Sequence, residues 1–242
     1  MRRLLLVRHA PTRATRAASF PADEPLDERG RADAALLGAR LPARHELLCS
    51  PALRCVETAR AAGLADPLLR PALGECDFGS WSGRSLAEVH EQDPEAAAAW
   101  IADPGACPHG GESLATLAAR VAAWLDEQAL LDGRAVAITH GGVVKAAVVH
   151  ALGAPIAAFW QVDSAPLSIT ELHAHDGRWT LARVNSVLRD ERDPRETRPG
   201  AAREAGGAGP RETGEANRAT PGEAGGGDAR LVTAGADAGG RS

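Results

Sequence analysis

Short aliphatic runs alternate with amphipathic stretches through the first 188 residues. Residues 4–7 (Leu-Leu-Leu-Val) are bounded by arginines before and by Arg8-His9 after. Four apolar residues between charges predict a buried strand, since a helix needs a longer run. Residues 46–49 and 135–139 predict strands of the same kind, and residues 68–70 a further short one. Residues 27–41, rich in Ala and Leu and stopped by Pro42, predict a helix. Ser50-Pro51 predicts the start of another, with Ser50 as N-cap and Pro51 at the first helical position. It runs to Ala62 and closes at Gly63. Short helices are predicted over 85–90 and 94–101, joined at Asp93-Pro94. A long amphipathic helix is predicted over 112–131, and another over 142–152. Strands over 167–173 and 179–184 flank Asp176-Gly177, a hairpin signal. Strands alternating with helices imply a largely parallel sheet covered on both faces. The expected class is α/β, a three-layer α/β/α sandwich with an antiparallel edge hairpin.

The pattern stops near Leu188. Residues 190–242 are mainly Gly, Ala, Arg, Glu, Pro and Thr, with Leu231 and Val232 as the large apolar residues. Such a stretch buries too little surface to offset its ordering entropy. Pro-Arg-Glu-Thr occurs at 194–197 and again at 210–213, which reads as low complexity rather than a folded repeat. One domain over 1–188 and a solvated, dispensable tail over 189–242 are expected.

Composition narrows the function. The 242 residues carry a net charge of -5 and are 44% hydrophobic, which suits one ordinary domain with an extension. With three Phe, five Trp and no Tyr, the core must be mostly aliphatic. Mild acidity and the lack of a Lys/Arg block argue against nucleic acid. Lys145 is the only lysine. Cys49, Cys55, Cys76 and Cys107 form no CxxC pair or zinc spacing and read as reduced thiols of a cytoplasmic protein. The apolar run after Met1-Arg2-Arg3 is too short for a signal peptide, and no segment is long enough to span a bilayer. Nothing in the chain specifies an oligomeric state.

Four polar clusters follow strands or open helices: Arg8-His9, the 49–54 segment with Ser50 and Arg54, the glycine-punctuated 74–83 loop, and Thr139-His140-Gly141-Gly142. In a parallel sheet such junctions lie along one edge, so distant positions converge. Two arginines, two histidines and helix amides such as that of Gly141 make an electropositive pocket suited to a phosphoryl group. A neutral imidazole can attack phosphorus while guanidinium groups neutralise the developing charge. The leaving alkoxide needs a proton, and a carboxylic acid in an apolar loop can hold one. Glu75, near Phe78 and Trp81, is the first choice and Asp77 the reserve.

In order along the chain, these segments resemble the histidine phosphatase superfamily, which includes the cofactor-dependent phosphoglycerate mutases and the α-ribazole phosphatases. The resemblance spans residues 3–185. It is carried by Arg8-His9-Ala10, by Pro25-Leu26 through Gly30, and by Ser50-Pro51 with Arg54 and Glu57-Thr58-Ala59. Glu75 through Gly83, Gly110-Gly111-Glu112-Ser113 and His140-Gly141-Gly142 complete it. The resemblance implies a phosphoglycerate mutase-like fold and a phosphohistidine on His9 that water hydrolyses. It implies Arg8, Arg54 and His140 around the phosphoryl group, Glu75 as proton donor, a small phosphate ester as substrate, and neither metal nor other cofactor. Ala10 stands in place of the signature glycine. Thr15 stands where many members have a phosphate-binding asparagine, and its hydroxyl can still donate.

Other readings stay open. Glu112 either faces substrate or complements a helix start. His109 edges the site or faces solvent. His173 and His175 share a strand face with no third ligand in view, which favours an ordinary strand over a metal site. The runner-up function is mutase-type phosphoryl transfer, and a noncatalytic phospho-ligand binder is the alternative of another class. The short segment between Gly83 and Gly110 leaves the pocket open to water and favours hydrolysis.

Overall fold

A computed structural model describes residues 1–187; the expected tail, and with it the boundary at 188, lies outside them. The chain runs β1 (Arg2–Arg8), α1 (Arg13–Arg16), α2 (Glu28–Ala34), β2 (Glu46–Cys49), α3 (Leu53–Ala61) and β3 (Leu68–Leu69). It continues with α4 (Leu86–Gln92), α5 (Pro94–Ala102), α6 (Leu114–Ala129), β4 (Gly133–Thr139), α7 (Gly141–Ala151), β5 (Ile169–His175) and β6 (Arg178–Ser186). Single 3-10 turns lie at Gly38–Arg40, Pro71–Leu73 and Gly79–Trp81, and a longer 3-10 segment at Ile156–Gln161.

The six strands form one sheet in the order β3-β2-β4-β1-β5-β6. β1, β2, β3 and β4 are parallel where they pair, and β5 and β6 add the antiparallel edge. Successive side chains of a strand point to opposite faces, and the packing follows that rule. Leu4 and Leu6, with Ala135 and Ala137, pack under α6 and α7 against Leu117, Val121, Leu125, Val143 and Ala147. Leu5 and Val7, with Val136 and Ile138, pack under α2 and α3 against Ala34, Leu37, Cys55 and Ala59. These are the three layers that the periodicity implies. α4 and α5 depart from them and enclose a small aromatic cluster of Phe20, Phe78, Trp81 and Trp100.

Three local expectations need correction. The helix expected over 27–41 ends at Ala34, although Asp27 caps its start by accepting the Gly30 N–H at 2.6 Å. Its continuation tightens into the Gly38–Arg40 turn, where a Cβ on Gly38 would stand 2.6 Å from the Ala62 carbonyl oxygen. Ser50 is not an N-cap: α3 begins at Leu53, and the Ser50 hydroxyl is drawn to His140. α6 begins at Leu114, capped by Ser113 accepting the Thr116 N–H at 3.1 Å, so Glu112 lies before the helix.

Candidate active site

The central strands β1 and β4 run parallel with Arg8 opposite Thr139. The next residues, His9 and His140, therefore leave the same sheet edge side by side. The His9 N–H continues the ladder by donating to the Thr139 carbonyl at 2.8 Å. Both imidazoles are buried, with ring centroids 5.2 Å apart. His9 Nδ1 lies 2.8 Å from the Ala10 carbonyl oxygen. A carbonyl only accepts, so Nδ1 carries the proton and Nε2 keeps its lone pair. Burial pushes the His9 pKa down to about 3, and the neighbouring Arg54 charge adds to the effect. The ring is thus a neutral imidazole with one free basic nitrogen.

His140 stands immediately before α7 and is held within 2.8 Å of Ser50 Oγ through its Nε2. Burial holds its pKa well below the usual histidine value, with His9 and Arg54 contributing next. Cys55 Sγ lies 3.4 Å from the same nitrogen, but burial pushes that thiol well up, so it stays protonated and inert. Arg54, in the first turn of α3, is buried and donates from one terminal nitrogen to the Ala22 carbonyl at 2.7 Å. Arg8 donates to the Ser164 carbonyl. It runs beside the start of α7, where a Cβ on Gly141 would stand 3.4 Å from its Nε. Both guanidinium groups keep a buried Nε–H with no partner among the described residues. Buried donors without acceptors are uncommon, and an oxyanion would supply what these two lack.

Glu75 enters from the 74–83 loop. One carboxylate oxygen accepts the Gly142 N–H at 3.3 Å and the other the Cys76 N–H at 3.0 Å. Only glycine allows this approach, because a Cβ at position 142 would stand 2.3 Å from Glu75 Oε1. Arg120 of α6 fixes the loop behind it. One of its terminal nitrogens donates to the Ala72 and Gly74 carbonyls at 2.8 and 3.1 Å. Its remaining donors form a two-bond fork with Glu112, at 3.0 and 2.8 Å. Beside Arg8, Glu75 and Gly142 opens a cavity of about 210 Å³, walled by Phe78, Trp100, Phe159 and Trp160 with Lys145 among them.

Of the residues singled out in the sequence, Arg8, His9, Arg54, Glu75, His140 and Gly141 converge on this edge of the sheet. Thr15 lies in α1. Its hydroxyl donates to the Thr12 carbonyl at 2.8 Å and accepts the Thr12 N–H at 2.8 Å, closing a reciprocal cap on α1. Its one hydroxyl proton is therefore used within that cap. Both Glu112 carboxylate oxygens accept from Arg120. Asp77 is exposed and its side chain accepts the Gly79 N–H at 2.9 Å, a turn contact. His109 does not face solvent. It is buried against Trp81 and Phe78, with Nδ1 accepting the Gly111 N–H at 3.1 Å. His173 pairs with Glu171 at 2.6 Å. Sequence reasoning missed Ser50 as a partner of His140 and Arg120 as the loop's anchor. Ser50 lies in the Ser50-Pro51 motif, whereas Arg120 carries no signal beyond being an arginine on an amphipathic helix.

The histidine phosphatase superfamily (branch 1) matches this chain over residues 4–187, and the chain belongs to it. Phosphoserine phosphatase 1 of Hydrogenobacter thermophilus is 30% identical over 196 residues, spanning 76% of this chain and 92% of that protein. The adenosylcobalamin/α-ribazole phosphatase of Salmonella typhimurium is 34% identical over 196 residues, spanning 76% of this chain and 96% of that protein. Among solved structures, mycobacterial glucosyl-3-phosphoglycerate phosphatase in complex with VO3 is similar with a TM-score of 0.67 at 29% identity. That likeness covers 77% of this chain and 100% of the other. The expected phosphoglycerate mutase-like α/β fold and the enzyme class, a phosphoric monoester hydrolase, agree with this membership. Among the described residues no helix is long and apolar enough to cross a membrane.

Proposed function

We propose that the chain hydrolyses a small-molecule phosphomonoester through a phosphohistidine on His9. The observation that carries this reading is the His9 ring itself: Nδ1–H is fixed on the Ala10 carbonyl, leaving Nε2 unprotonated beside two arginines. Arg8, Arg54 and His140, with the Gly141 amide, hold the phosphoryl oxygens and neutralise charge as it develops. His9 Nε2 forms a bond to phosphorus, and the ester P–O bond breaks. The electron pair goes to the ester oxygen, which takes a proton from Glu75. Glu75, now a carboxylate, accepts a proton from water as that water attacks phosphorus. The P–N bond breaks and His9 returns to its neutral form. No step calls for a metal or another cofactor.

Hydrolysis is favoured over mutase-type transfer by the short segment between the 74–83 loop and the start of α6, which leaves the cavity open to water. A cytoplasmic location belongs to the same reading and rests on the four cysteines, all free thiols and three of them buried. The test is a rapid quench with a phosphoryl-labelled ester. Wild type should carry an acid-labile, base-stable label, and His9→Ala should carry none and turn over nothing. A fully active His9→Ala defeats the mechanism.

A further inference from the structure

Lys145 sits on α7, in the turn after Gly141-Gly142, and lines the cavity beside Arg8 and Glu75. Its Nζ lies 5.4 Å from the centre of the Phe159 ring. Among the described residues it forms no ion pair, although burial pulls its pKa down. A half-buried ammonium normally reaches water or a carboxylate. Asp163 and Glu75 are near enough to influence it, yet neither comes within salt-bridge distance. Glu75 is held on the Gly142 and Cys76 amides, and Asp163 accepts from Asn185 at 3.1 Å. The phosphoryl group proposed above occupies Arg8 and Arg54, so among the described residues Lys145 is the one cation of the cavity left without an anion.

The walls around it are flat and apolar. Trp100 and Trp160 meet edge to face with centroids 5.1 Å apart, and Phe159 meets Trp160 edge to face at the same distance. Trp160 remains 40% exposed at the rim, an unusual position for a large aromatic side chain that does not seal a core. Aromatic faces with one convergent cation describe the place for an alcohol moiety, the part of the substrate that Glu75 protonates.

We propose that Lys145 is a specificity residue that selects phosphomonoesters whose leaving alcohol is a flat apolar body bearing a carboxylate. The inference rests on the phosphatase reading above and adds the leaving-group class to it. A carboxylate would pair with Nζ in a partly desolvated site while its apolar frame lies against Trp100 and Trp160.

The test compares kcat/KM for phenyl phosphate, 4-carboxyphenyl phosphate and 4-carbamoylphenyl phosphate in wild type, Lys145→Gln and Lys145→Arg. A charge-assisted hydrogen bond lost with the ammonium lowers the carboxy-to-carbamoyl ratio about tenfold or more in Lys145→Gln. Lys145→Arg keeps most of the ratio. Comparing that ratio between wild type and variant cancels the different reactivities of the two phenols. A ratio equal in wild type and Lys145→Gln overturns the proposal, as does an equal fall for all three esters, which would make Lys145 a phosphoryl ligand. Product inhibition of wild type needs no variant: 4-hydroxybenzoate should bind at least several-fold tighter than 4-hydroxybenzamide, and equal binding overturns the proposal too. Failure of wild type to hydrolyse any of the three esters would instead overturn the phosphatase reading beneath it.

Discussion

Gly142→Ala separates the fold from the proton donor. The new Cβ would stand 2.3 Å from Glu75 Oε1, 3.2 Å from its Cδ and 3.3 Å from Leu117 Cδ2. The nearest atom is the free end of a side chain, so the carboxylate yields and the backbone stays. Alanine in the first turn of α7 also favours the helix, by roughly 0.5–1 kcal/mol over glycine, which offsets the tightened Leu117 contact. The melting temperature should change little. The carboxylate, however, loses the Gly142 amide and moves by about an ångström, a displacement that can cost ~100-fold in rate. General acid catalysis as a whole is worth about 10²–10⁴-fold. We expect kcat/KM for an alkyl phosphate to fall about 100- to 1,000-fold. For 4-nitrophenyl phosphate, whose leaving group needs no proton, the fall should stay under about tenfold. The assay is a leaving-group series on wild type, Gly142→Ala, Glu75→Gln and the double variant. The double variant should be no worse than Glu75→Gln, because both changes remove one interaction. Equal losses for alkyl and nitrophenyl esters, or additive losses in the double variant, would refute the assignment of Glu75.

Arg120→Met should destabilise the fold by roughly 2 kcal/mol in urea unfolding, since it strands a mostly buried Glu112 carboxylate and two carbonyls. Adding Glu112→Gln should recover part of that loss. Histidine titrates near ~6.5 in an unfolded chain, whereas in the fold burial pushes His9 down to about 3 and holds His140 well below its usual value. Between those limits the unfolded state binds more protons. The stability contributed by keeping each ring neutral is therefore full above pH ~6.5 and falls as pH drops towards 3, by up to about 1.4 kcal/mol per pH unit per ring. Unfolding free energies from pH 7 to 5 should show a shallower slope in His140→Gln than in wild type. Truncation after Leu188 should leave both turnover and melting temperature unchanged within error, and a large loss of either would refute the dispensable tail.

The sequence made the strands legible because each is a short apolar run ended by charge: residues 46–49 were bounded to the residue, and the hairpin was marked by Asp176-Gly177. Helix ends were less legible, because tertiary partners compete for the capping groups. Ser50 has the chemistry of an N-cap, but a buried imidazole from the next strand claims its hydroxyl. The four-residue α1 buries none of its side chains and gives no periodic signal, only the Thr12/Thr15 pair. In the candidate site, residues contiguous with a motif are legible in the sequence, and those acting across the fold are not. Glu112 belongs to Gly-Gly-Glu-Ser, whereas Arg120, which takes both its oxygens in a fork, belongs to no motif. The close approach of Glu75 to Gly142 is a fact of packing between a loop and a helix start, invisible until the two are brought together.

The pairing of β1 with β4 has an evolutionary corollary. The two histidines inherit their spacing from adjacent hydrogen-bonded strands at the centre of the sheet, the part of a protein slowest to exchange its amide protons. The walls of the cavity come instead from a surface loop, α5 and the 3-10 segment at Ile156–Gln161, where insertion and drift are tolerated. Descendants of such a chain can reshape the cavity by rewriting the periphery, while the two histidines stay anchored to the scaffold.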